Sequence, residues 1–166
     1  MTDLEFEKLI IRLKDKLYRL AFSILRQKED AQDAVQEVVL KLWKNRYSLN
    51  RANNFESYCM SSVKNHSLDL LRRQKQHVDY KESAIIKNRT VKINDFDNRD
   101  LIEKIFIQVQ QLPDQQRMAI ELKDFQGYDY DEISDILEQS VNAIRANVSR
   151  GRKKLYEIFK EELKDA

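Results

Sequence analysis

The sequence predicts an all-α chain: two small helical domains joined by a flexible linker, the second of them a helix-turn-helix. Three observations carry this. Two Gly and one Pro among 166 residues are too few for a turn-rich β protein, and Leu, Ile, Lys, Glu, Gln and Arg dominate as they do in helical proteins. Apolar residues recur at helical spacing in two blocks, and between the blocks the periodicity decays. A charged fraction of 35% against 42% apolar residues argues for thin domains with much solvated surface, hence two small cores rather than one large one.

The first helix opens at Thr2 and Glu5, which have capping-box spacing, and Phe6, Leu9, Ile10, Leu13, Leu17, Leu20, Ile24 and Leu25 carry its apolar stripe to about Arg26. After a polar break at Gln27 to Glu29, residues Ala31, Ala34, Val35, Val38, Val39, Leu42 and Trp43 define a second helix packed antiparallel to the first. Asn45 to Asn54 reads as a polar loop. A third helix follows with Phe55, Tyr58, Cys59, Val63, Leu68 and Leu71, and completes an N-terminal domain over 1–75. The linker is assigned to 76–99, a stretch too long to be a connection inside one compact domain.

The second domain, 100–166, begins with the periodic residues Leu101, Ile102, Ile105, Phe106 and Val109. Pro113 and Asp114 suit the first turn of the next helix, which carries Met118, Ile120, Leu122 and Phe125 and stops at Gly127. Asp129 and Glu132 repeat the capping-box spacing ahead of Ile133, Ile136 and Leu137. A break at Glu138 to Ser140 is then followed by a helix that Ser140 can cap. Two helices separated by a three-residue turn form the helix-turn-helix signature.

In that last helix Val141, Ile144, Val148 and Leu155 make an apolar stripe, whereas Asn142, Ala146, Ser149, Arg150 and Lys153 point away and Arg145 flanks the exposed side. Val141 to Leu155 contains five basic residues and no acidic one. Such a face meets the needs of major-groove reading: Arg pairs with guanine edges, Asn with adenine, Lys with phosphate, and small Ala146 allows approach to a thymine methyl. Ser140 and the free N–H groups behind it suit a backbone phosphate. Lys154 reads more simply as a solvated helix end complementing the dipole.

These residues resemble the promoter-reading C-terminal domain of the bacterial extracytoplasmic-function sigma factors, through Leu112-Pro113, Arg117, Gly127, Glu132-Ile133, Leu137, Ser140 and Arg150 to Leu155. The N-terminal half extends the resemblance, because Asp30-Ala31, Asp33, Val35-Gln36-Glu37-Val38 and Leu42-Trp43 look like that family's polymerase-binding helix. Asp30, Asp33 and Glu37 stand at helix-neighbour spacing off the apolar stripe. On physical grounds alone they serve solubility and the helix dipole. The resemblance instead assigns Asp30, Asp33, Gln36 and Glu37 to binding the clamp helices of core RNA polymerase.

The resemblance also places Asn65, Asp69, Arg72 and Arg73 where the family engages the −10 element, and Ser140, Asn142, Arg145, Ala146, Ser149, Arg150 and Lys153 at the −35 element. The amide and carboxylate suit base edges and the arginines phosphate. The loop Arg46 to Asn54 stands where the family pockets an unpaired base. Tyr58, Phe55 and Trp43 are expected in the core. The sequence departs from the family at Glu138, where Gly is usual in the turn, at Ser134, usually a smaller residue, and at Val39, often aromatic.

The expected function is therefore a non-catalytic sigma subunit, with core RNA polymerase, promoter DNA and an anti-sigma factor as partners. A stand-alone helix-turn-helix regulator would need neither the acidic ridge nor the Asn65 and Asp69 face. An enzyme is disfavoured, since there is no nucleophile paired with a base, no ligand spacing around His66 or His77 and no Gly-rich phosphate loop. No cofactor, metal or small-molecule substrate is expected. Thirty basic against 28 acidic residues leave a formal charge of +2, so local clustering rather than bulk charge argues for nucleic acid. Cys59 is alone, Met1 to Ile10 lacks a signal peptide's pattern and no apolar run is long enough for membrane insertion, so the cytoplasm is the expected compartment.

Overall fold

A computed structural model describes residues 1–49, 54–79 and 101–164. Within them lie α1 (Asp3–Leu25), α2 (Lys28–Lys44), α3 (Phe55–Asp79), α4 (Leu101–Val109), α5 (Asp114–Ile120), a π-helical turn (Glu121–Phe125), α6 (Tyr130–Leu137) and α7 (Val141–Lys164). The described residues contain helices and turns and no strand, as the composition predicts.

The Thr2 capping box forms: Glu5 N–H donates to Thr2 Oγ1 at 3.3 Å and Thr2 N–H to Glu5 Oε2 at 2.9 Å. Helix α1 ends where Arg26 turns left-handed, at φ 58°. Helix α2 starts earlier than expected, because Glu29 and Asp30 in its first turn favour the helix dipole. Trp43 and Phe55 pack edge-on against Phe6 at ring-centroid distances of 5.4 and 6.0 Å, which bears out their core role. Arg46 stacks on Trp43 at 3.8 Å and bonds Asp3 at 2.6 Å, tying the end of α2 to the start of α1. Helix α3 continues to Asp79, past the expected linker start; residues 80–100, which hold most of that linker, lie outside the described residues.

In the second half, Pro113 is the N-cap of α5, with φ −53° and ψ 148°, and not a residue of its first turn. The expected single helix to Gly127 changes pitch at Glu121: Gln126 N–H bonds the Glu121 carbonyl five residues back, at 3.0 Å. Gly127 then takes φ 77° to end the segment. Gly151 of α7 lies against α5 so closely that a Cβ there would meet Ile120 Cγ1 at 2.9 Å.

The two helical domains form as expected, but their apolar cores are not separate. One continuous apolar cluster joins Leu17, Leu20, Leu25, Met60 and Val63 of the first half to Leu122, Ile133, Ile136 and Ile144 of the second. The junction arises because α1 packs on α5 and the π turn while α3 packs on α6. Its polar centre is Arg117, wholly buried, which donates to the Ser23 carbonyl, to the Leu112 carbonyl at 2.6 Å and to Asp114 at 2.7 Å. Arg117 thereby satisfies a carbonyl left open near the end of α1. Burial and neighbouring Arg26 bring its pKa down to about 10, so it remains charged at neutral pH. Nearby, Lys16 bonds Glu56 at 2.7 Å, the Tyr128 hydroxyl donates to the same carboxylate, and Arg19 meets the buried Glu121 at 3.1 Å.

Candidate nucleic-acid and partner interfaces

Three polar surfaces stand on this frame. On α2 the buried positions Ala31, Ala34, Val38 and Leu42 fix the opposite face outward. Asp33, Gln36 and Glu37 are exposed there, and Asp30 is half-buried because its Oδ2 accepts from Gln74 Nε2 at 3.0 Å. Glu37 lies 2.9 Å from His66 Nε2 and 3.9 Å from Lys41 Nζ. Asp33 and Gln36 are thus the least encumbered of the four. Leu40, 54% exposed one turn on, adds an apolar contact that sequence periodicity did not single out.

On α3, Asn65, Asp69, Arg72 and Arg73 are all exposed, and Asp69 pairs with Arg72 at 3.4 Å. Beside them a cleft of about 300 Å³ opens between α2 and α3, lined among others by Tyr58, Ser62, His66 and Asp69. Tyr58 corrects the expectation that it packs in the core: it is 52% exposed and forms part of this cleft. A phenol ring there has the chemistry for base stacking. Of the loop expected to pocket a base, 50–53 lie outside the described residues.

The helix-turn-helix forms as its capping pattern predicts. Glu132 N–H bonds Asp129 Oδ1 at 2.8 Å and Asp129 N–H bonds Glu132 Oε2 at 2.9 Å. Ser140 Oγ accepts the Ala143 N–H at 3.2 Å, so this hydroxyl is engaged as the α7 cap. Ile144 and Val148 are buried, which leaves Asn142, Arg145, Ser149, Arg150 and Lys153 exposed and Ala146 half-buried. The Tyr130 ring, not singled out from the sequence, lies between Arg145 at 5.2 Å and Lys123 at 4.7 Å. Arg152 is held by Asp124 through two contacts of 3.0 and 2.5 Å.

Glu138 occupies the left-handed region at φ 55° and ψ 44°. That backbone explains why Gly is usual at this turn position in the family the sequence resembles. The Glu138 carboxylate accepts from Lys64 Nζ at 2.6 Å, and that bond holds its pKa below the ordinary carboxylate value. One turn earlier on α3, Ser61 Oγ donates to the Ile136 carbonyl at 3.2 Å. Neither Ser61 nor Lys64 was expected at a functional surface; the only hint in the sequence was the departure from Gly at Glu138.

Elsewhere, Cys59 is buried and burial pushes its thiol up to about 12, which keeps it unreactive. Among the described residues no cluster of three or more His, Cys, Asp or Glu side chains is placed to hold a metal, and no helix is long and apolar enough to cross a membrane.

Comparison with known families finds Sigma-70 region 2 matching residues 9–77 and Sigma-70 region 4 matching residues 108–155. The RNA polymerase sigma-H factor of Pseudomonas aeruginosa is 24% identical, over 97% of this chain and 89% of its own length. The ECF RNA polymerase sigma factor SigM of Mycobacterium tuberculosis is 28% identical, over 93% of this chain and 76% of its own. Among solved structures, the sigma factor RpoE of Bartonella quintana, in complex with the anti-sigma factor NepR, superposes with a TM-score of 0.79 at 24% identity, covering 94% of this chain and 97% of that one.

Proposed function

The chain belongs to the extracytoplasmic-function branch of the sigma-70 family, the subunits that direct RNA polymerase to promoters, and from that premise we propose how its three surfaces divide the work. Asp30, Asp33, Gln36 and Glu37 bind core RNA polymerase. An exposed acidic ridge bordered by Leu40 suits a basic partner helix with an apolar seam.

Asn65, Asp69, Arg72 and Arg73, with the Tyr58 cleft, engage the −10 element. The amide and carboxylate address an unpaired base while the arginines hold phosphate. Asn142, Arg145, Ala146, Ser149, Arg150 and Lys153 of α7 read the −35 element in the major groove, and Ser140 acts by capping that helix. Polymerase supplies all the chemistry, so the chain is no enzyme and takes no cofactor. It works in the cytoplasm, where an anti-sigma protein restrains it, as NepR accompanies RpoE.

The observation that supports this reading is the coexistence, in one chain, of the α2 acidic ridge and two further exposed polar surfaces, on α3 and α7. A stand-alone regulator needs only one of these. Run-off transcription on genomic DNA, with purified core polymerase and with or without the chain, is the test. New start sites that depend on the chain are expected; none, with active core enzyme, contradicts the reading.

A further inference from the structure

The face of α3 that carries Asn65 is not wholly free. Ser61, Lys64 and Asn65 stand at i, i+3 and i+4; Ser61 bonds the C-terminal end of α6, Lys64 bonds the turn after it, and Asn65 is exposed beside them. Lys64 is only 4% exposed, yet its partner Glu138 keeps 63% of its side chain in solvent. Glu138 also holds a backbone conformation that favours Gly. A largely exposed acid is therefore held in an unfavourable turn, and what it meets there is the buried ammonium of Lys64. An ammonium, an amide N–H and a nearby hydroxyl are the donors that a phosphate oxygen takes. They share their helix with Asp69, Arg72 and Arg73.

We propose that Ser61, Lys64 and Asn65 form a phosphate site for the promoter strand at the −10 element, and that Glu138 occupies it as an internal anion while the two halves are packed together. This rests on the sigma-factor reading. DNA and the helix-turn-helix turn then compete for the same donors, so engaging the strand and parting α3 from α6 are one event.

The test uses the full chain and fluorescein-labelled single-stranded dT20, with anisotropy titrations across a series of KCl concentrations. Glu138→Gly removes the carboxylate and suits the left-handed turn, so the fold is kept. It is expected to tighten binding on the order of tenfold, the gain of one charge-assisted contact. It should also steepen the log–log salt slope by about 0.7, the value for one further phosphate on a single strand. Lys64→Gln should cost less in the wild-type chain, where Glu138 competes for the ammonium, than in the Glu138→Gly chain, where it should abolish the gain, with Lys64→Arg preserving it. Unchanged affinity in Glu138→Gly overturns the proposal. So does an equal loss from Lys64→Gln in both backgrounds, which would mark a general charge effect. Run-off transcription with the same preparations reads the sigma function separately: chain-dependent start sites without the Glu138→Gly gain reject the site and leave the sigma reading standing.

Discussion

Arg150 stands exposed on α7 with the buried Ile144 and Val148 behind it, so its removal costs little packing. Arg150→Ala is expected to weaken binding to a −35 duplex by about 1–3 kcal/mol, selectively if the guanidinium reads a base and evenly across sequences if it holds phosphate. Equal run-off transcription by mutant and wild type would remove Arg150 from the interface. Asp114 has the opposite character, a structural acid beside a buried cation. Burial alone would raise its pKa, but the bond and charge of Arg117, with Arg26, more than offset this and hold it low. A carboxylate lowered on folding contributes stability that is present above its unfolded value, about pH 4, and is lost as pH falls through the lowered one. Glu56 is lowered in the same sense by Lys16 and Tyr128. Glu121 runs the other way: burial raises it, so protonation there does not weaken the fold on acidification. Melting temperature should therefore fall as the pH drops below about 4, and Asp114→Asn should flatten that fall while costing about 1–2 kcal/mol at neutral pH. An unaltered pH profile in Asp114→Asn would contradict this account.

At the scale of elements, what the sequence disclosed followed the kind of signal each element carries. Both capping boxes, the Ser140 cap and the three-residue turn were legible because each depends on one or two local side chains at fixed spacing. The stripe of α7 was legible from its period, which put Ile144 and Val148 inside and Arg145, Ser149 and Arg150 outside. The π turn at Glu121 was not, since its apolar spacing reads as ordinary helix until Gly127. Tyr58 was misplaced because an aromatic at core spacing carries no mark of the cleft beside it. The close approach of Gly151 to Ile120 is likewise invisible without the partner helix. Gly151→Ala should destabilise the chain by roughly 1–3 kcal/mol through overpacking of α5 on α7, read as a lower denaturant midpoint at unchanged slope. Stability equal to wild type would show that Ile120 gives way freely. On α2, Asp33→Lys reverses charge at an unencumbered position of the ridge. It should reduce co-purification with core polymerase while far-UV circular dichroism stays the same, and undiminished co-purification would count against the ridge.

The whole molecule adds what neither half shows: two helical units sharing one apolar core, stitched by Arg117, Arg19 with Glu121, Tyr128 with Glu56 and Lys64 with Glu138. Periodicity could not disclose this junction, since each unit already satisfies its own helical pattern and the joining residues are far apart in sequence. The departure from Gly at Glu138 marked an unusual turn, and its link to Lys64 of the other half emerged only in the fold. A sigma subunit that grips a promoter at two points must hold its −10 and −35 surfaces on the same DNA at once, with polymerase beneath. The most direct measurement is a DNase I footprint on a promoter recovered by run-off transcription, with the chain alone, with core polymerase alone and with both. Protection of the −35 and −10 regions together, only when both proteins are present, is the result this account predicts. A full footprint by the chain alone, centred on a palindrome and unaffected by core polymerase, would contradict it.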